Sequence, residues 1–292
     1  MLPSKGRRFA LAPDLFPGIA AASSFAVSDV LAKAVFAAGG DVLTLALVRG
    51  LAGLGIVFVW LRLGARVVPV APRARLIALL LGVLFAVVVF GLFKAIALTT
   101  VPIAVLTYFA YPLLTGIGGA LFGIERLSLR GMLAAIVAFF GLALTVGAQP
   151  QHLSMLGIAW ALAAAVSRAG FLLVARVELQ AADPRLTTWY SLVSSTAIFA
   201  GAAALTMNWQ PPQTAPGWIA VAIVSVMTAT GILALYVSAG RVGAFRTALV
   251  MNLEPLLATL LSVPLLAEGI TPLQAAGGAV MLAALVAFQV SR

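Results

Sequence analysis

Ten stretches of roughly twenty apolar residues follow one another with only short polar connections, and nothing else constrains this 292-residue chain as much. They lie at 15–38, 42–63, 75–99, 101–123, 128–147, 154–177, 186–205, 216–239, 243–266 and 271–290. At about 1.5 Å per helical residue, each is long enough to cross a hydrocarbon core about 30 Å thick. Composition removes the alternative of a soluble core: 63% of residues are hydrophobic and 9% charged, against roughly 45–50% and about 25% in soluble domains. No run alternates as a barrel strand would. The expected fold is an all-α membrane protein of ten transmembrane helices with no soluble domain. The first stretch follows Lys5-Gly6-Arg7-Arg8 in the manner of a signal peptide. It is longer than a typical signal core and contains Asp29 and Lys33, so it reads as a retained span.

The net charge of +10 reflects topology rather than a nucleic-acid surface. Lys5, Arg7 and Arg8 precede span 1; Arg62, Arg66, Arg73 and Arg75 lie at the 2–3 connection; Arg126 and Arg130 lie at the 4–5 connection. Arg176 and Arg185 flank the 6–7 loop, Arg241 and Arg246 the 8–9 loop, and Arg292 ends the chain. The alternate connections hold no basic residue and contain Asp41 and Glu268. Positive charge collects on the cytoplasmic side, so both termini are expected there, in a plasma membrane such as the bacterial inner membrane.

Several function classes drop out. There is no cysteine, and the single histidine, His152, sits in a short loop, so neither a thiol nor a histidine cluster is available for a metal or cofactor. The spans offer no His–Asp or Cys nucleophile for an enzyme. No glycine-rich phosphate loop ending in Lys-Ser/Thr is present for ATP-driven transport. The connections are too short to suggest an obligatory protein partner.

The chain also repeats itself. Tyr111-Pro112-Leu113-Leu114 recurs as Glu254-Pro255-Leu256-Leu257 at an offset of 143, which also carries Glu125 onto Glu268, Leu92-Phe93 onto Leu235-Tyr236 and Ser128 onto Thr271. Gly18-Ile19-Ala20 matches Gly157-Ile158-Ala159 at an offset of 139. The expected organisation is two five-helix units, 1–148 and 149–292. Five is odd, so the second unit enters the membrane from the opposite side. Inverted repeats around a central cavity, with a site near the midplane, are the logic of many secondary transporters.

The run Leu253-Glu254-Pro255-Leu256-Leu257-Ala258, the trailing Leu266-Ala267-Glu268-Gly269-Ile270-Thr271, and the helix Gly157 to Val177 with Trp160 and Ser167-Arg168 resemble the drug/metabolite transporter superfamily. The resemblance is to its EamA-type ten-helix members and covers essentially the whole chain. Within them the chain is most similar to the YddG-type aromatic amino-acid exporters. The first repeat departs from the pattern, with Tyr111 where many repeats place Glu. The resemblance implies amino acids as substrates, a preference for aromatic and other apolar ones, and export.

Ionisable residues inside the spans carry the site expectation. Asp29, Lys33, Arg49, Lys94, Arg168 and Glu254 remain once the loops are counted. A charge at the bilayer centre costs roughly 2.5–3.5 kcal/mol, so these residues are expected to line a wet cavity or to pair. Asp29 and Lys33 share a face of span 1 at i,i+4, and span 2 brings Arg49 to a similar depth. With Lys94 they are expected to form a polar cluster in the outer half of the first repeat, as a gate, an ion-pair network or a substrate contact. Arg168 occupies the repeat position of Asp29 and reads equally as gate or substrate contact.

Pro112 and Pro255 kink spans 4 and 9 and free the carbonyls of Tyr108 and Met251. Glu254 beside Asn252 suits a substrate ammonium, a coupling proton or a buried structural carboxyl. Tyr108, Tyr111, Trp160 and Tyr236, with Ser167 and Thr230, are candidates for cavity walls, against the alternative of packing. Trp60, Trp209 and Trp218 suit interfacial belts, and Gly119, Gly123, Gly277 and Gly278 suit close helix approach. From residues alone the function is transport of a small polar or amphipathic solute. A proton-coupled exporter of drugs or other metabolites is the alternative to an amino-acid exporter.

Overall fold

A computed structural model describes residues 13–64, 69–99, 101–146, 154–207, 209–266 and 270–290. Lys5, Gly6, Arg7, Arg8, Arg66, His152, Ala267, Glu268, Gly269 and Arg292 lie outside the described residues.

Every described element is helical. After a 3-10 turn at Pro13–Leu15 come α1 (Phe16–Ala37), α2 (Val42–Leu63), α3 (Pro72–Leu98), α4 (Val101–Tyr108), α5 (Tyr111–Leu121) and α6 (Leu129–Val146). The second half contains α7 (Met155–Glu178), α8 (Pro184–Thr206), α9 (Ala215–Val242), α10 (Ala244–Val250), α11 (Leu253–Leu266) and α12 (Pro272–Val290). Taking α4 with α5 and α10 with α11, eight helical segments among the described residues are long and apolar enough to cross a membrane. Two further apolar helices, Leu129–Thr145 and Pro272–Phe288, are shorter.

Helix starts are written locally. Asp41 caps α2 through the Thr44 N–H at 3.0 Å, and Ser154 caps α7 through the Gly157 N–H at 3.2 Å. Asp183 caps α8, accepting from the Arg185 N–H at 2.9 Å and from its guanidinium at 2.7 Å. Those contacts hold the Asp183 carboxyl below its ordinary value. The cap is therefore intact at neutral pH and fades only as acid protonates the carboxylate.

Corresponding helices in the two halves open in register: Pro72 and Ala215, Val101 and Ala244, and Leu129 and Pro272 are each 143 residues apart. Packing repeats as well. The first helix of each half lies against the third helix and the interrupted pair of the other half, α1 on α9 and α11, α7 on α3, α4 and α5. α2 packs on α8 and α6 on α12. The last pair is antiparallel, because Gly131 near the start of α6 meets Phe288 near the end of α12, and Gly141 meets Gly277.

Glycine sets the α6–α12 distance. A Cβ on Gly141 would stand 2.8 Å from the Gly277 carbonyl oxygen, and Gly278 faces Leu256. Gly123 differs from expectation. It lies beyond α5 at φ +66° with open space where a Cβ would point, so it serves a left-handed turn rather than helix approach. Trp60, Trp209 and Trp218 are about half exposed.

Replacing Gly277 by Val forces apart backbones already in contact. The expected cost is about 1–3 kcal/mol, read as a lower Tm in detergent. An unchanged Tm would show that the α6–α12 seam does not depend on glycine.

Candidate functional site

Both proline-containing spans break just ahead of the proline. α4 and α5 are separated by Phe109 and Ala110, α10 and α11 by Met251 and Asn252. Pro112 stands in the first turn of α5 and Pro255 in that of α11, where a missing N–H is least costly. The Met251 carbonyl freed by Pro255 is not offered to the cavity as expected. The Glu254 N–H takes it at 2.9 Å, tightening the chain into a turn. What each break presents is a side chain: Tyr111 at one and Glu254 at the other.

α1 carries Asp29 past its midpoint, and because α1 packs on α11, Asp29 meets Glu254. The two carboxyl groups are neighbours, in the fields of Arg49 and Arg168. Asp29 is exposed to solvent-sized space, whereas Glu254 is 8% and Arg168 3% exposed. A carboxyl this accessible, with a second carboxyl and two guanidinium groups around it, lines water-accessible space rather than acyl chains.

Arg168, on α7, reaches the same place from the other side. Its guanidinium stands 5.1 Å from the Phe25 ring centroid and 5.8 Å from that of Tyr111. Among the described residues no carboxylate comes within ion-pair distance of it. Stacking on a ring when desolvated is worth about 2 kcal/mol, less than the several kcal/mol of burying the charge. An anion arriving at Arg168 therefore gains more than it would at a guanidinium already paired. Tyr108, Phe109 and Tyr111 form an aromatic wall at the α4–α5 break, with centroids 5.1–5.6 Å apart.

Four buried atoms here lack a hydrogen-bond partner among the described residues: Ser28 Oγ, Tyr111 hydroxyl, Arg168 Nε and Glu254 Oε2. Buried polar groups are nearly always satisfied, so a convergent set of orphans marks a place for water or ligand. Asn252 is buried next to Glu254.

The structure thus groups the charges differently from their spacing in the sequence. Asp29 and Arg49 join Arg168 and Glu254 in a cluster shared by both halves, not an outer cluster of the first half alone. Lys33 and Lys94 are exposed on α1 and α3, and the positive fields bearing on Asp29 come from Arg49 and Arg168. Three aromatic and hydroxyl candidates sit elsewhere. Trp160 packs edge-on against Phe90 at 5.4 Å in the α3–α7 seam. The Tyr236 hydroxyl bonds Ser191, which donates to the Ala78 carbonyl at 2.8 Å. Thr230 is exposed and bonds back to the Val226 carbonyl at 2.8 Å. Ser167, half-buried, precedes Arg168. Sequence reasoning missed Phe25, although its position one turn before Asp29 puts it on the same face of α1.

Residues 155–288 match the EamA-like transporter family. The match lies within the second half of the chain and is a likeness to a family of membrane transporters. No curated protein matches the chain. One solved crystal structure aligns with it at a TM-score of 0.79 and 18% identity, covering 96% of this chain and 98% of that one. At that identity the likeness is of fold alone. In EamA-domain terms, Asn252, Glu254 and Arg168 lie within the matched residues, whereas Asp29, Tyr108 and Tyr111 come from the half before them.

The two kinds of hydroxyl separate experimentally. Tyr111→Phe removes a buried hydroxyl with no hydrogen-bond partner among the described residues, so Tm is expected to hold or rise slightly. Ser191→Ala breaks the link between Tyr236 and Ala78 and is expected to cost about 1–2 kcal/mol of stability. A larger loss in Tyr111→Phe than in Ser191→Ala would make the Tyr111 hydroxyl structural.

Proposed function

We propose that the protein is a secondary transporter that exports amino acids, aromatic and other apolar ones favoured, across the plasma membrane by alternating access. Its ten spans form two inverted repeats, 1–148 and 149–292, around the Asp29–Arg168–Glu254 centre, with both termini cytoplasmic. The 143-residue register of the helices, the reciprocal packing of α1 and α7, and the antiparallel α6–α12 pair support that architecture.

One observation carries the substrate class. A guanidinium with no ion pair among the described residues and two neighbouring carboxyl groups lie beside an aromatic wall. Arg168 offers planar donors to an α-carboxylate, and Asp29 with Glu254 offers acceptors to an α-ammonium. Tyr108, Tyr111 and Phe25 give an aromatic side chain apolar surface with polar edges. A purely cationic drug would leave Arg168 repelled and unpaired. The alternative, a proton-coupled exporter of drugs or other metabolites, draws on the two carboxyl groups as carriers of a coupling proton.

The test is uptake of labelled amino acids into proteoliposomes, with and without a pH gradient. Wild type is expected to move an aromatic amino acid above empty liposomes, Glu254→Gln to lose at least about tenfold in rate, and Arg168→Lys, which keeps charge but loses the planar fork, to raise KM by about tenfold. No amino acid moving above background ends the substrate reading. Unchanged transport in Glu254→Gln removes the carboxyl pair from the mechanism.

A further inference from the structure

A second polar constellation lies away from the centre, at the end of the bundle where α5, α7, α9 and α12 finish and α6 and α10 begin. A cavity of about 490 Å³ opens there, lined by Arg126, Arg130, Arg176 and Arg246 against one carboxylate, Glu125. That carboxylate is committed elsewhere. It accepts the Ala244 and Phe245 N–H groups at 2.7 and 3.0 Å and lies 3.5 Å from Arg176 Nε. Gly243, at φ +95°, precedes those donors, and any Cβ on it would collide with the carboxylate. Arg176 also donates to the Gly240 carbonyl. Glu125 is thus matched by Arg176, and Arg126 and Arg246 bring to the lining positive charge that no carboxylate among the described residues pairs.

We infer that this cavity binds the phosphodiester headgroup of an anionic phospholipid. Guanidinium forks match phosphate geometry, and basic pockets between spans are where such headgroups bind. The floor is apolar: Phe245 and Phe288 stack edge to face at 6.1 Å, with Arg246 over the Phe288 ring at 5.9 Å. What selects a lipid over free phosphate is the surface leading away from the cavity. Leu129, between the lining residues Ser128 and Arg130, is 76% exposed and starts a stripe of exposed apolar side chains along α6 through Leu133, Val137 and Phe140. A headgroup among the arginines leaves its acyl chains lying on that stripe. The ligand so held bridges the α5–α6 connection of the first half to α7 and α10 of the second. The inference needs a membrane setting but not the amino-acid reading, and it is tested without transport.

Native mass spectrometry of the full-length protein with added phosphatidylglycerol or phosphatidylcholine reads it directly. One phosphatidylglycerol is expected to be retained with about tenfold preference, the preference shrinking as salt rises. Arg126→Gln is expected to weaken retention about fivefold, with Arg126→Lys keeping most of it. Equal retention of the two lipids, or retention indifferent to both salt and Arg126→Gln, overturns the inference. So does inorganic phosphate raising Tm as much as phosphatidylglycerol at equal concentration, which would assign the cavity to the free anion. Arg126 is exposed at the rim, and the salt series uses the wild type, so neither reading depends on a variant with a damaged fold.

Discussion

Two carboxyl groups brought together, one on α1 and one on α11, form the contact around which the interior is organised. Two carboxyl groups that close repel when both are charged, and the guanidinium groups of Arg49 and Arg168 offset that repulsion. The pair forms because the two halves interlock. α1 packs on the third helix and the interrupted pair of the opposite half, and α7 does the same in return. Had each half folded on itself, Asp29 would face Tyr111 of its own half rather than a second carboxyl. The polar centre is therefore a product of the interlock and exists in neither half alone.

The helix breaks make room for it. A continuous helix satisfies its backbone internally and turns its side chains at a fixed 100° per residue. Interrupting α4–α5 and α10–α11 at equivalent points re-aims the residue after each break. Proline in the first turn of the restarted helix limits the backbone cost, and in the second half the Glu254 N–H recovers the carbonyl that Pro255 leaves without its usual donor. The second break keeps its Met251 carbonyl bonded, while side chains with unmet hydrogen-bonding capacity among the described residues include Tyr111, Arg168 and Glu254 at the centre. That is the arrangement a binding site needs: a settled scaffold with the open valences on the groups that meet the ligand.

The helices were legible in the sequence because hydropathy is local. The second stretch, 42–63, coincides with α2, and most other edges fall within about three residues. The 143-residue spacing of helix starts was legible too, since Pro, Leu and Glu recur at that offset in the sequence. The partners of individual side chains were not. Spacing at i,i+4 pointed Asp29 toward Lys33; packing also brings Arg49, Glu254 and Arg168 to Asp29, which spacing within one helix does not show. Trp160, Tyr236 and Thr230 were drawn toward the cavity by residue type alone. Phe90, Ser191 and the Val226 carbonyl hold them elsewhere. Gly123 was counted with the packing glycines because its i,i+4 spacing from Gly119 looks helical, although the helix has ended before it. Rotation about a helix axis, which decides what a side chain meets, is weakly written in a span that is apolar on nearly every face.

On the two-repeat reading, the centre draws its polarity from unlike residues at equivalent positions. Asp29 and Arg168 occupy equivalent positions, as do Tyr111 and Glu254, and all four converge. A symmetric scaffold with identical residues at equivalent places would present two like groups to any ligand and give it no preferred direction. Here equivalent positions carry opposite chemistry, acid against base and phenol against acid. On the transport reading, a zwitterion can satisfy such a site in only one orientation, its carboxylate toward α7 and its ammonium toward α1 and α11. If the halves exchange conformations, access can pass from one end of the bundle to the other while those assignments stay fixed, so the same contacts hold the solute in either state. Equal holding in both states is what a carrier requires, since a ligand that bound one state much more tightly would trap it there.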